Sequence, residues 1–351
     1  MVQWIIPVYT NWRAECNLEI TYKLSMTKTA PNILALDIGG TKIAAAIVAE
    51  TGEITTRKQE KTCQSGFDEG LIQIKHLLRE LTTEASLNFG DIKCMGISIA
   101  ARLDPNFDRI IWTPHIKGWE NLDLRTILES ELKIPVFLEF DGHAAVLGEW
   151  WMGSGKGYQN LIDVIIGTGI GGGIILDGKL YREHDRLAGT VSWFNLKTTT
   201  KIQDDQSQSF GFFESIASGP GLSFYAKQLV SEHQDSCLWS ISQKESLTAI
   251  HIFEAVRKGD PFGKQLYYQL GDWLGLGIAN IVSLLNPELV ILGGGVGNQC
   301  KDLLPHIRQV VRQWAQPTSA QSVRITTSKL GTDAELLGAA YGALLRWEKI
   351  E

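Results

Sequence analysis

The chain has 351 residues, 44% of them hydrophobic and 21% charged, ordinary globular usage with enough apolar residues for about two domains. Its 33 basic and 39 acidic residues give a net charge of −6, which speaks against a nucleic-acid or anionic-membrane surface and for a soluble enzyme. The five cysteines, Cys16, Cys63, Cys94, Cys237 and Cys300, form no CxxC or CxC pair, so the pattern fits neither a disulfide scaffold nor a clustered zinc site and points to a reducing cytoplasm.

Residues 1–25 show no periodicity and no basic region followed by an apolar one. Met26 stands just before "TKTAPNILALDIGG". The expectation is that translation begins at Met26 and that residues 1–30 are a disordered or non-native extension. "ILALDIGG" is an apolar run that stops at Asp37 and a glycine pair, and "KIAAAIVAETGEITTRKQEK" continues as two strands around "ETGE". Residues 67–88 carry Leu71, Ile74, Leu77, Leu78 and Leu81 at helical spacing. "IKCMGISIA" and "IPVFLEF" read as short buried strands, and "GHAAVLGEWWMG" as the helix that follows.

The theme then restarts. "NLIDVIIGTGIGGGIILDGKLY" is again strand, glycine turn, strand, turn, strand, which reads as an internal duplication of the fold. Residues 196–209 are polar and predict a surface loop. From Phe212 onward the chain is mostly helical. "WLGLGIANIVSLLN" is too short for a membrane span and is stopped by Pro287, so it predicts a buried helix. "LVILGGGV" and "RITTSK" are further strands. "TDAELLGAAYGALLRW" predicts a last helix opened by a Thr332…Glu335 capping box.

"DIGGTK" and "GTGIGGG" both stand at the ends of buried strands. Glycines let the backbone approach a ligand closely, and successive N–H groups form an anion nest. Thr41 and Lys42 add a hydroxyl and a point charge, and Asp37 suits a hydrated Mg²⁺. The plainer alternative is two hairpins whose glycines merely turn the chain; a third glycine run, Gly293 to Gly295 before Val296, favours a nucleotide. There is no GxxxxGK[ST] loop. "GTGIGG" has GxGxxG spacing at Gly167, Gly169 and Gly172 but runs into a strand where a dinucleotide site needs a helix.

"LALDIGGTKIAAAIV", "EFDGHAAVLGEW", "IIGTGIGGGIILDGKL", "FESIASGPGL", "LVILGGGV" and "DAELLGAAYGALL" resemble, in this order, the motifs of the ROK family (repressor, open reading frame, kinase) from about residue 32 to 347. The resemblance implies an α/β, two-lobed actin-like ATPase (ribonuclease H-like) fold. Residues 31–145 would form an N-terminal lobe and 146–330 a C-terminal lobe, with 331–351 a helix returning to the first. It implies a cytoplasmic homodimer that phosphorylates a sugar or sugar-like hydroxyl with ATP and Mg²⁺, and no nucleic-acid or membrane partner. Asp37, Gly39, Gly40, Thr41, Lys42, Gly167, Thr168 and Gly169 would hold phosphates and metal, and Gly294 and Gly295 would lie near adenosine. Asp141, at the carboxyl end of a strand, resembles the catalytic Asp of "ENDAN"; capping the helix that begins near Gly142 is its other reading. Glu149 reads as structural, and His143 as a helix-surface or interface residue.

The sugar side departs from the family. Where the family has "AGEIGH" this chain has "AGTVSW", so Thr190 and Trp193 replace a Glu and a His. The zinc cysteines of "CxCGxxGC" are missing and no zinc site is expected. The "PNL" Asn is His115, the "PGP" is Ala100–Ala101–Arg102, and Phe140 precedes Asp141. Only Glu214 keeps its family identity among these contacts. His115, Asp141, Thr190, Trp193 and Glu214 are the expected substrate residues. Trp193 and Phe140 form an apolar wall or fill space left by the zinc module. The acceptor is then glucose-like, or non-standard, such as a cyclitol. The alternative is a nucleotide- or sugar-binding sensor without efficient transfer. A repressor reading lacks support, since no helical periodicity precedes "DIGGT".

Overall fold

The computed structural model describes residues 32–104, 109–113, 116–182, 184–196 and 211–349. The expected extension at 1–30, the polar segment after Leu196 and His115 lie outside these residues.

The first half supplies β1 (Asn32–Ile38), β2 (Lys42–Ala49), β3 (Ile54–Lys61), β4 (Ile92–Ile99), β5 (Arg102–Leu103), β6 (Ile110–Trp112) and β7 (Val136–Phe140), with α1 (Phe67–Glu84), α2 (Leu124–Leu132) and α3 (Asp141–Met152). The second supplies β8 (Leu161–Ile166), β9 (Ile170–Leu176), β10 (Lys179–Leu180), β11 (Leu289–Gly293) and β12 (Arg324–Thr327). Its principal helices are α4 (Phe212–Ala217), α5 (Gly219–Leu229), α6 (Pro261–Leu285), α7 (Leu304–Trp314) and α8 (Ala334–Trp347).

The two large sheets run β3-β2-β1-β4-β7 and β10-β9-β8-β11-β12. Each is a meander of three antiparallel strands followed by two parallel ones. The internal duplication read from the sequence is therefore present at the level of topology.

β1 lacks hydrophobic alternation because both its faces are covered. Leu34, Leu36 and Ile38 pack with Ile74, Leu77, Leu78 and Leu81 of α1. Ile33 and Ala35 face Leu336, Leu337 and Ala340 of α8. Burying Leu336 and Leu337 stabilises the fold by roughly 1.5–3 kcal/mol each. In the second sheet, Ile162, Val164 and Ile166 pack with α6 and α7. The opposite face packs Leu161, Ile175, Leu289 and Ile291 with Val146 and Leu147 of α3. Helix α3 thus serves both sheets, lying against β8 and β9 of the second and against β7 and β4 of the first.

The helix from "WLGLGIANIVSLLN" extends further upstream than its apolar run. Asp260 caps α6 by accepting from Gly263 N–H at 2.8 Å, and Asn286 ends it with φ 46°. No helix among the described residues is long and apolar enough to cross a membrane.

The expected Thr332…Glu335 capping box is not formed. A one-turn helix at Gly331–Asp333 runs into α8, so Asp333 takes the N-cap position with no side-chain cap bond. Asp333 pairs instead with Arg57 on β3 at 2.9 Å.

Candidate active site

Asp37, next to last in β1, stands opposite Ser98 of β4, and the Ser98 hydroxyl donates to its Oδ1 at 2.9 Å. Both side chains are buried. Burial pushes the Asp37 carboxyl up, against the pull of Lys42, the Ser98 bond and Arg57. The Gly39–Lys42 turn is tied down by its carbonyls. Thr62 Oγ1 donates to Gly39 O at 2.7 Å, Thr62 N to Thr41 O at 3.1 Å, and Gln64 Nε2 to Gly40 O at 2.6 Å. Thr41 is exposed and Lys42 half-buried.

The second hairpin occupies the same place between β8 and β9. Gly167 N–H donates to Gly169 O at 2.9 Å, and Gly167 O accepts from Gly219 N–H, the first residue of α5, at 2.8 Å. Gly294, with φ +77°, approaches Ile166 so closely that a Cβ would overlap its carbonyl. A Cβ on Gly219 would lie 3.6 Å from Val296. "GTG", "SGPG" and "GGGV" therefore converge. Around them, a Cβ added at Gly167, Gly171 or Gly295 would meet nothing within 4 Å. These glycines border open space, with Thr168 and Gly295 exposed at its edge.

Asp141 is the first residue of α3, and Phe140 takes the N-cap position. The helix begins one residue earlier than expected, so Asp141 is not its cap. Its Oδ1 accepts from the adjacent Gly142 N–H, at 2.8 Å. Glycine is needed next to it, because a Cβ on Gly142 would overlap Gly172 O and one on Gly173 would overlap Gly142 O. This contact seats the start of α3 directly on β9. Burial pushes Asp141 up to about 7; Gly142 N–H and His143 oppose, while the charges of Asp37 and Glu214 add. The carboxylates of Asp37, beside the first hairpin, and of Glu214 on α4 thus both act on Asp141.

Glu214 accepts from Ile170 N–H at 2.7 Å, and burial pushes it up to about 7 against that bond. One of its oxygens is committed to the second hairpin. Thr190 donates its hydroxyl to Leu187 O at 3.0 Å, within its own turn. Trp193 is 59% exposed in the one-turn helix Val191–Trp193, a poor wall for a closed pocket. Phe140 packs edge-on against His143, with ring centroids 5.3 Å apart.

His143 is fully buried, not at the surface, because α3 is enclosed between the two sheets. Its Nδ1 faces Glu139 Oε1 at 3.1 Å and its Nε2 faces Ala188 O at 3.0 Å. Glu139 also accepts from Arg182 Nε at 3.0 Å. Burial opposes the Glu139 charge, yet Arg182 and His143 together hold it well below the usual carboxylate range. Glu149 is structural as expected. It accepts from Ser154 N at 2.6 Å and Leu330 N at 3.0 Å, which ties α3 to the segment after β12.

Sequence reasoning missed Glu335. Burial first, then Asp37 and Asp141, raise it to about 8, with Lys42 opposing. Its Oε2 is buried with no hydrogen-bond partner among the described residues. The clue was an acid at the start of an otherwise apolar helix, which the capping-box reading absorbed.

The sequence model described as "ROK family" matches residues 33–345. The chain belongs to the ROK family. Among ROK relatives, a glucokinase of Streptomyces coelicolor is 31% identical over 88% of this chain and 96% of that protein. A glucokinase of Halalkalibacterium halodurans is 29% identical over 88% of this chain and 93% of that protein. Among solved structures, a ROK glucokinase from Streptomyces griseus in complex with glucose and AMPPNP superposes with a TM-score of 0.77, at 30% identity, covering 90% of this chain and 99% of that one. The fold is accordingly the actin-like ATPase fold of ROK sugar kinases.

Proposed function

We propose that this protein phosphorylates a hydroxyl of a sugar, or of a sugar-like polyol, with ATP. The observation that carries the reading is Asp141. It stands at a strand–helix corner, seated on the second glycine hairpin, with its carboxyl near 7 and the Asp37 charge acting on it. The glucokinase relatives support the same class of substrate.

Residues 31–145 and 146–330 are the two lobes in this reading, with 331–351 returning to the first. In this reading the open space beside Gly167, Gly171 and Gly295 receives the triphosphate and nucleoside. Gly39, Gly40, Thr41 and Lys42 would hold phosphates from one side, Gly167, Thr168 and Gly169 from the other, and Gly294 and Gly295 would border adenosine. Asp37 offers the hard oxygen that Mg²⁺ prefers, and bound Mg²⁺ neutralises phosphate charge. Asp141 takes the proton from the acceptor hydroxyl as its oxygen attacks the γ-phosphorus. The new O–P bond forms, the bond from phosphorus to the leaving oxygen of ADP breaks, and the proton stays on Asp141. Positioning supplies most of the rate.

On the acceptor side, Thr190, Trp193, Glu214 and His115 are the proposed contacts. A Thr in place of the family's Glu removes a carboxylate that pairs with sugar hydroxyls, which a dry site penalises. This favours an acceptor other than free glucose, with cyclitols as one class. The same replacement favours the second reading, a sensor that binds nucleotide or sugar without efficient transfer.

The test is ADP release with MgATP over hexoses, acetamido sugars, polyols and cyclitols, with Asp141→Asn beside the parent protein. Multiple-turnover, acceptor-dependent ADP that disappears in the variant supports the kinase. ATP binding with no acceptor-dependent ADP across the panel supports the sensor.

A further inference from the structure

His143 sits between two groups that only accept hydrogen bonds. Nδ1 lies 3.1 Å from a Glu139 carboxylate oxygen, and Nε2 lies 3.0 Å from the Ala188 carbonyl. A neutral imidazole has one N–H and one lone pair, so it would satisfy one neighbour and point its lone pair at the other. In a fully buried ring no water relieves that conflict. Only a ring that donates from both nitrogens satisfies both ends.

Glu139 is fixed in turn. It is 3% exposed on β7, and Arg182, which follows β10, donates to it at 3.0 Å. The groups facing the ring are thus Glu139 from β7, Asp141 on its own helix, the Ala188 carbonyl, and the Phe140 ring edge. Arg182 reaches it only through Glu139. Ala188 opens the segment that carries Thr190 and Trp193, and Gly189 beside it, with φ +98°, is pressed against the Gly172 carbonyl. The segment is therefore held at two adjacent points, one on β9 and one on α3.

We propose that His143 is a positioning residue: it donates from both ring nitrogens and clamps the segment Ala188–Trp193 to the corner that bears Asp141. This rests on reading Asp141 as the base and that segment as the acceptor side. The clamp sets the distance between the base and the acceptor. It also makes acceptor binding depend on a charged network, Arg182–Glu139–His143, that touches neither substrate.

The decisive measurement needs no acceptor. In protein labelled with ¹⁵N at histidine, the His143 signals, assigned by their loss in His143→Gln, are expected to show a proton on each ring nitrogen at pH 7. A single proton on that ring overturns the proposal. The kinetic companion uses as its probe the compound of the acceptor panel that gives the most acceptor-dependent ADP with the parent protein. In folded His143→Gln and His143→Asn proteins, the KM for that acceptor is expected to rise about tenfold or more, while the KM for ATP stays within about twofold. An unchanged acceptor KM in both variants overturns the clamp. Failure of the underlying reading looks different: Asp141→Asn then keeps its turnover, and the doubly protonated His143 ring is still seen.

Discussion

Gly338 of α8 lies so close to the Ala144 carbonyl of α3 that a side chain there would overlap it. Gly148 meets the Ala334 carbonyl in the same way. Two helices almost two hundred residues apart in sequence touch backbone to backbone, with nothing flexible between them. Gly338→Ala is expected to push them apart and cost about 1–3 kcal/mol or more in urea unfolding. Gly342→Ala is the control on the same helix. Its Cβ would lie 3.2 Å from the movable end of Leu147, so it should change stability by less than about 1 kcal/mol. Equal effects at the two positions would sink this account of the contact.

The rate should depend on pH through Asp141. A base works deprotonated, and this one is held at about 7. For an accepted substrate, kcat/KM is therefore expected to fall as pH drops through neutrality. Asp141→Asn should remove that limb and lower the rate by about 10²–10⁴. Glu214 is also raised to about 7, so the assignment needs a control. Its charge raises Asp141, and Glu214→Gln should keep the limb but move it to lower pH. A limb lost with Glu214 and kept with Asp141 would reverse the assignment.

Gly167 and Gly295 border open space, so a methyl group there meets no protein atom. Gly167→Ala and Gly295→Ala are expected to melt within a degree or two of the parent, roughly the margin for a surface change. Their KM for ATP should rise by about tenfold, because the methyl occupies space a nucleotide would need. An unaltered ATP KM in both would place the nucleotide elsewhere.

Asp163 on β8 is 1% exposed, and neither of its oxygens has a partner among the described residues. Burial, with the charges of Glu149 and Glu335, raises it well above the usual carboxylate range. The folded state therefore holds a proton that the unfolded state releases above about pH 4, and this contribution to stability falls as pH rises. Asp163→Val removes the buried acid at similar volume. Its melting temperature relative to the parent should increase more at pH 8 than at pH 5. A difference that does not vary with pH would show that the group is solvated in the native state.

The strands, the repeated hairpins and the corner bearing Asp141 were legible because each is written in a few adjacent residues. An apolar run followed by glycines needs no distant partner to be understood. His143 was not legible, since α3 is enclosed by β9 and by α8, which come later in the chain, α8 almost two hundred residues later. Glu139 and Arg182 are 43 residues apart, and nothing local marks them as a pair. Thr190 reads in the sequence as a substrate residue, and nothing local shows that its hydroxyl donates to Leu187 O within its own turn. Glu335 fitted a helix-start motif, and the one-turn helix before α8 gave that start to Asp333 instead.

The packing of α8 also dictates an order of events. Ile33, Ala35, Ala44, Ala46 and Val48 lie on β1 and β2, and the side chains that cover them include Leu336, Leu337, Ala340, Ala343 and Leu344, about three hundred residues later. Until the ribosome has made α8, that sheet carries a bare apolar face. The first half therefore waits, sticky and unfinished, for the last helix. A stop codon before residue 334 would leave a chain whose earliest sheet never closes, a substrate for chaperones and proteases.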